Sequence, residues 1–177
     1  MEYSDSRILL SSQREGQVKR FRAWVMMVVP LAAILFQFFV PRFFDFLRFV
    51  EMPLLVVVYF AVVRRSQISG LLVGAFVGLA QDSLSKHPLG MFGIDKTLVG
   101  YFAASVGLRI DVDHAMVRLV LTFFFYLFHQ VLYWVMVRAL LSQPMDLEPQ
   151  STALLALLNA VIGVALFHFL DKLRIKE

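Results

Sequence analysis

The chain is 177 residues long, one domain's worth, and 59% of it is hydrophobic against 17% charged; a core of that size cannot hide so much apolar surface, which excludes an ordinary soluble domain. The net charge of +4 does not point to nucleic acid, because Lys and Arg stand in short clusters flanking apolar stretches, where topology signals belong. Cysteine is absent, which excludes disulfides, thiolate metal sites and cysteine nucleophiles. The class is therefore an all-α integral membrane protein, a bundle of about six transmembrane helices.

Residues 1–22 are polar and carry Arg7, Arg14, Lys19, Arg20 and Arg22. They read as a basic cytoplasmic tail, either solvated or lying as a weakly amphipathic helix on anionic lipid. No small-residue cleavage site follows, so the first apolar run reads as a retained helix and not as a signal peptide. A crossing takes about 20 residues, and residues 23–41 supply the first, with Pro30 placed to kink it. Residues 53–63 are too short to cross alone, so the predicted second helix extends back through residues 43–52. Asp45, Arg48 and Glu51 then fall at i, i+3 and i+6 along one side of it; the alternative is an interfacial segment.

Residues 66–84 and 89–108 form a predicted hairpin of third and fourth helices around a turn with Pro88. Residues 115–141 are longer than a bilayer needs and read as a tilted fifth helix, and residues 152–170 as the sixth. The domain plan is a tail at 1–22, a six-helix membrane domain at 23–171 and a cytoplasmic tail at 172–177. Of the 17 Lys and Arg, twelve fall on one side of this plan and Arg42, Arg48, Lys86, Lys96 and Arg138 on or towards the other. The first side is cytoplasmic by the positive-inside rule, with both termini on it.

Two small-residue stripes stand out. Gly70, Gly74 and Gly78 recur every four residues ahead of Asp82, and Gly93, Thr97, Gly100, Ala104 and Gly107 match them on the next helix. Such stripes let backbones approach closely where lipid provides little hydrophobic drive between helices, so packing is favoured over a ligand site. Asp45, Arg48, Glu51, Asp82, Asp95, Lys96 and Arg138 all fall in or near the outer third of the predicted bundle. That is a depth where charge is costly unless it faces protein, water or headgroups. They read as a polar cluster around an outward cavity or partner groove, with Asp82 to Lys96 the favoured pair, or as simple interface markers. His129 and Gln130 lie at mid-depth in the fifth helix and Asn159 in the sixth, which predicts a hydrogen bond between those helices. His87 and His168 lie at different depths from them, so no metal site is expected. Neither a phosphate-binding glycine loop nor a nucleophile elbow occurs, and neither enzymatic activity nor a cofactor is expected.

Residues 70–107 resemble the signature region of the MreD family. That family shows a Gly-rich helix ending in Asp, a short turn, Pro-Leu-Gly, and a second helix with Gly-Tyr; here these are Gly74, Gly78, Asp82, Pro88, Leu89, Gly90, Gly100 and Tyr101. Gln81, Lys86-His87 and Asp95-Lys96 depart from the pattern. The resemblance implies a non-enzymatic inner-membrane component of the machinery that elongates rod-shaped bacteria, acting in peptidoglycan synthesis with MreC, the MreB filament, and RodA with its transpeptidase. It also implies a fold like the substrate-binding subunits of energy-coupling-factor vitamin transporters, so a small-molecule uptake subunit is the second expectation. The aromatic run Phe123, Phe124, Phe125, Tyr126 and Phe128 is a candidate partner face, or is lipid-facing.

Overall fold

Backbone groups in hydrocarbon have no water to bond, so an apolar chain closes its hydrogen bonds within helices. The computed structural model describes residues 23–85, 88–146 and 148–173, and its order is α1 (Ala23–Phe39), two 3-10 turns (Val40–Arg42 and Asp45–Phe49), α2 (Met52–Arg64), α3 (Gln67–Leu84), α4 (Met91–Gly107), α5 (Ala115–Leu141) and α6 (Pro149–Asp171). The expectations for residues 1–22, for Lys86 and His87, and for the end of the chain beyond residue 173 lie outside the described residues. The stretch 24–42, α5 and α6 are each long and apolar enough to cross a membrane.

Local chemistry sets the boundaries. Pro53 and Pro149 occupy the first turns of α2 and α6, where the missing N–H costs nothing. Ser66 caps α3, its hydroxyl accepting from the Ser69 N–H at 3.4 Å. Arg65 and Ser142 follow α2 and α5 in the left-handed region, with φ of 50° and 51°, the conformation that ends a helix by turning the chain back on its last carbonyls.

The second helix differs from its expected course. Residues 43–52 do not continue it: α2 has 13 residues, about 20 Å of rise, and the chain before it runs in short 3-10 turns. Pro53 explains the break, since a helix running through it would lose one hydrogen bond and bring the ring against the Phe49 carbonyl. The side shared by Asp45, Arg48 and Glu51 therefore does not exist, and Asp45 and Arg48 are exposed.

What α2 lacks in length it makes up in burial. Every residue from Pro53 to Val63 is buried, as befits a helix that is apolar on all sides. It is the central strut, packed on α1, α3 and α4, with α5 and α6 touching it more lightly. It runs in the same direction as α4, because Val57 lies beside Gly100 and Val62 beside Gly107. One end of the bundle carries the α3–α4 turn and segment 40–51, and is called the turn end. The other carries Arg64, Arg65 and Arg118 and is called the basic end.

Candidate functional site

The glycine stripes face one another across the tightest contact in the molecule. A methyl group built on Gly70 would fall on the Gly100 carbonyl oxygen, one on Gly74 on that of Lys96, and one on Gly78 on that of Phe92. Gly100 in turn meets the Gly70 carbonyl, so α3 and α4 lie backbone to backbone. Gly107 is turned elsewhere, onto Val62 of α2, and Gly93 faces the Leu79 side chain.

Asp82 does not pair with Lys96. Its Oδ2 accepts from the N–H groups of Gly90 and Gly93 at 3.0 and 2.9 Å, and its Oδ1 from that of Phe92 at 3.0 Å. A helix start leaves its first amides without intrahelical partners and carries a partial positive charge, so a buried carboxylate at that point is well matched. The turn allows it because Gly90, with φ of 100°, brings the chain into α4 through the left-handed region. Pro88 and Leu89 stand exposed beside it.

The remaining charges separate into a rim and an interior layer. Asp45, Arg48 and Arg138 are exposed at the turn end, with Arg48 over Phe49 at 4.8 Å and Arg138 over Trp134 at 5.5 Å. Asp95 and Lys96 are fully buried, at the level of His129, which is midway along α5. The Asp95 carboxylate is bonded to His129 Nδ1, and Lys96 Nζ lies over the Phe92 ring at 4.5 Å, a favourable place for a desolvated cation. Phe92 stacks in turn on Tyr133 at 5.5 Å. Gln130 Nε2 donates to the Tyr126 hydroxyl at 2.9 Å.

Asn159 forms the hydrogen bonds that hold segment 40–51 over this layer, and not the bond to His129 or Gln130 that mid-depth alone suggested. Its Nδ2 donates to the Phe49 carbonyl at 2.8 Å, and its Oδ1 accepts from the Glu51 N–H at 2.9 Å. Gln37 adds a bond from α1, accepting from the Met52 N–H at 3.2 Å. Among the described residues, three buried atoms of the layer lack a hydrogen-bond partner: Glu51 Oε2, Asp95 Oδ1 and Lys96 Nζ. Buried polar atoms are ordinarily hydrogen-bonded, and these three are not.

A second polar network, at the basic end, went unread in the sequence because its members look like topology charges. Buried Arg118 donates through Nε to the Val112 carbonyl at 2.7 Å and pairs with Asp171 at 2.7 Å. Tyr59 donates to the other Asp171 oxygen at 2.9 Å, so α2, α5 and α6 are tied by one carboxylate. The available signal was Arg118 itself, three residues inside a long apolar helix.

Among the described residues no three His, Asp or Glu side chains gather as a metal site. The family model for the rod shape-determining protein MreD matches residues 18–174 of the chain. Neither the curated proteins nor the solved structures contain a match to it. The family match spans the tail's end, all six helices and the turn built on Asp82, far more than the short signature region, and on that footing the chain belongs to the MreD family of rod shape-determining membrane proteins.

Proposed function

We propose that the protein is a non-enzymatic scaffold or regulator of cell elongation in the cytoplasmic membrane. In this role it holds MreC and, through the wider complex, MreB and RodA with its transpeptidase. The observation that supports this reading is where the polar side chains go. Asp82 is bound to three backbone amides, Asn159 to the Phe49 carbonyl and the Glu51 N–H of the segment above it, and Arg118 to Asp171. Chemistry-bearing groups spent on holding helices together leave the outer surface as the part of the molecule that acts. That surface is apolar and aromatic, fit for lipid and for partners' membrane helices. The charge bias supports an orientation with the basic end and both termini in the cytoplasm.

Glu51 in segment 40–51, with Asp95 and Lys96 of α4, each has a buried atom without a hydrogen-bond partner among the described residues, which supports a second reading, an uptake subunit that encloses a small ligand. Purification in mild detergent from the native host separates the two. Near-stoichiometric recovery of MreC or a RodA-type protein supports the scaffold. Recovery of an ATPase pair with a membrane coupling subunit replaces it with uptake.

A further inference from the structure

The interior of a membrane bundle is the costliest place for a charge without a partner. Among the described residues five buried side-chain atoms lack a hydrogen-bond partner. Two of them are neutral, on Gln81 and Thr122. The other three, Glu51 Oε2, Asp95 Oδ1 and Lys96 Nζ, are ionisable, and all three belong to the layer at the turn end. Glu51 is half-buried, whereas Asp95 and Lys96 are wholly inaccessible. These two lie about 7 Å along α4 from its first residue, from a rise of about 1.5 Å per residue.

Their adjacency in sequence explains why they do not satisfy each other, since consecutive helix positions do not face one another. Asp95 is turned to α5, where His129 Nδ1 engages Oδ2 and leaves Oδ1 open. Lys96 reaches back over the Phe92 ring at 4.5 Å. The ring face attracts the cation but offers no lone pair to its three N–H groups. Phe92 in turn stacks on His129 at 6.5 Å and on Tyr133 at 5.5 Å, so the carboxylate and the ammonium border one aromatic stack between α4 and α5. Charge then defines what answers them. A cation alone serves the carboxylates but leaves Lys96 without an acceptor and sets like charge beside it. An anion alone serves Lys96 and is repelled by Asp95 and Glu51. A molecule with a cationic donor at one end and an anionic acceptor at the other serves all three and brings no net charge into the membrane.

We infer that this layer is a binding site for a small zwitterion. Its ammonium group donates to Asp95 Oδ1, with Glu51 Oε2 as the second acceptor, and its anionic oxygen accepts from Lys96 Nζ. Two sources carry that chemistry, the headgroup of an ethanolamine phospholipid and a free amino acid. The inference rests on the same atoms as the uptake reading and names the ligand class that reading leaves open; a scaffold can hold the same site.

The test uses the full chain in detergent and follows its melting temperature. The probes are dihexanoyl phosphatidylethanolamine and alanine; dihexanoyl phosphatidylglycerol, acetate and ethylammonium, which carry one charge only, are the controls. The expected result is that a zwitterion raises the melting temperature by about 3 °C and that no control does. A response to phosphatidylethanolamine assigns the site to a headgroup, and a response to alanine assigns it to a free solute. Lys96→Met and Asp95→Asn, which keep the side chains' size, should each weaken binding about tenfold. If neither folds, Glu51→Gln at its half-buried position carries the same expectation. No response to either zwitterion, an equal response to a single-charge control, or undiminished binding by the folded variants overturns the inference. If an ATPase pair with a coupling subunit copurifies in that case, the uptake reading stands and only the ligand class is wrong. If a zwitterion binds and no such pair copurifies, the site stands and the uptake reading falls.

Discussion

Three amide groups decide what Asp82 does. The carboxylate meets the open end of α4 at the one point where the chain must reverse, so it closes the hairpin that the glycines zip together. Asp82→Ala is expected to lower stability by about 3 kcal/mol, because it leaves buried amides unbonded. Asp82→Asn should lose about half as much, since it keeps one acceptor oxygen. Thermal unfolding in detergent measures both. The Asp95 and His129 pair makes a different prediction. Removing either partner alone strands a buried group, so His129→Ala and Asp95→Ala should each cost about 3 to 5 kcal/mol. The double variant should cost clearly less than their sum, and a double-mutant cycle that proves additive refutes the pairing.

At the scale of elements, the α3–α4 contact separates two kinds of glycine. Gly74 has the Lys96 carbonyl where its Cβ would be, whereas Gly90 has open space around it and only its φ of 100° to protect. Gly74→Ala must push two backbones apart and is expected to prevent stable assembly, seen as loss of the monodisperse peak in size-exclusion chromatography. Gly90→Ala should cost about 1 kcal/mol, the ordinary penalty of a left-handed residue. The four-residue spacing made the stripes legible in the sequence, since it reports which side of a helix is small. Gly107 facing α2 instead of α3 was not legible, because spacing along one helix does not say which neighbour it meets.

For the whole molecule, the ends of the bundle differ in charge and in construction, and the absence of native cysteine makes the difference directly measurable. Single cysteines at Phe46 and at Arg65, in the turn end and the basic end, should behave oppositely in intact cells: an impermeant maleimide labels the first and not the second. The reverse pattern inverts the proposed orientation. Asn159→Leu should remove both bonds that hold segment 40–51. Labelling of Glu51→Cys, slow in the parent, should then rise several-fold, and an unchanged rate means that Val50 and Gln37 suffice to hold the segment.

Composition alone determined the solvent, and with it the class of fold, because an excess of apolar surface this large has nowhere to go but lipid. Periodicity and prolines placed α1, α3, α4, α5 and α6 to within a few residues, since the bilayer fixes the length a helix must reach. The tertiary structure decided what the polar residues meet. From the sequence Asp82, Asp95, Lys96 and Glu51 shared one depth, and depth is all that a position along a helix can report. Rotation about the helix axis sends Asp82 to a helix start, Asp95 to His129 and Lys96 to the face of a ring. That rotation is set by the close approach of α3 and α4, a contact between parts of the chain that only folding brings together.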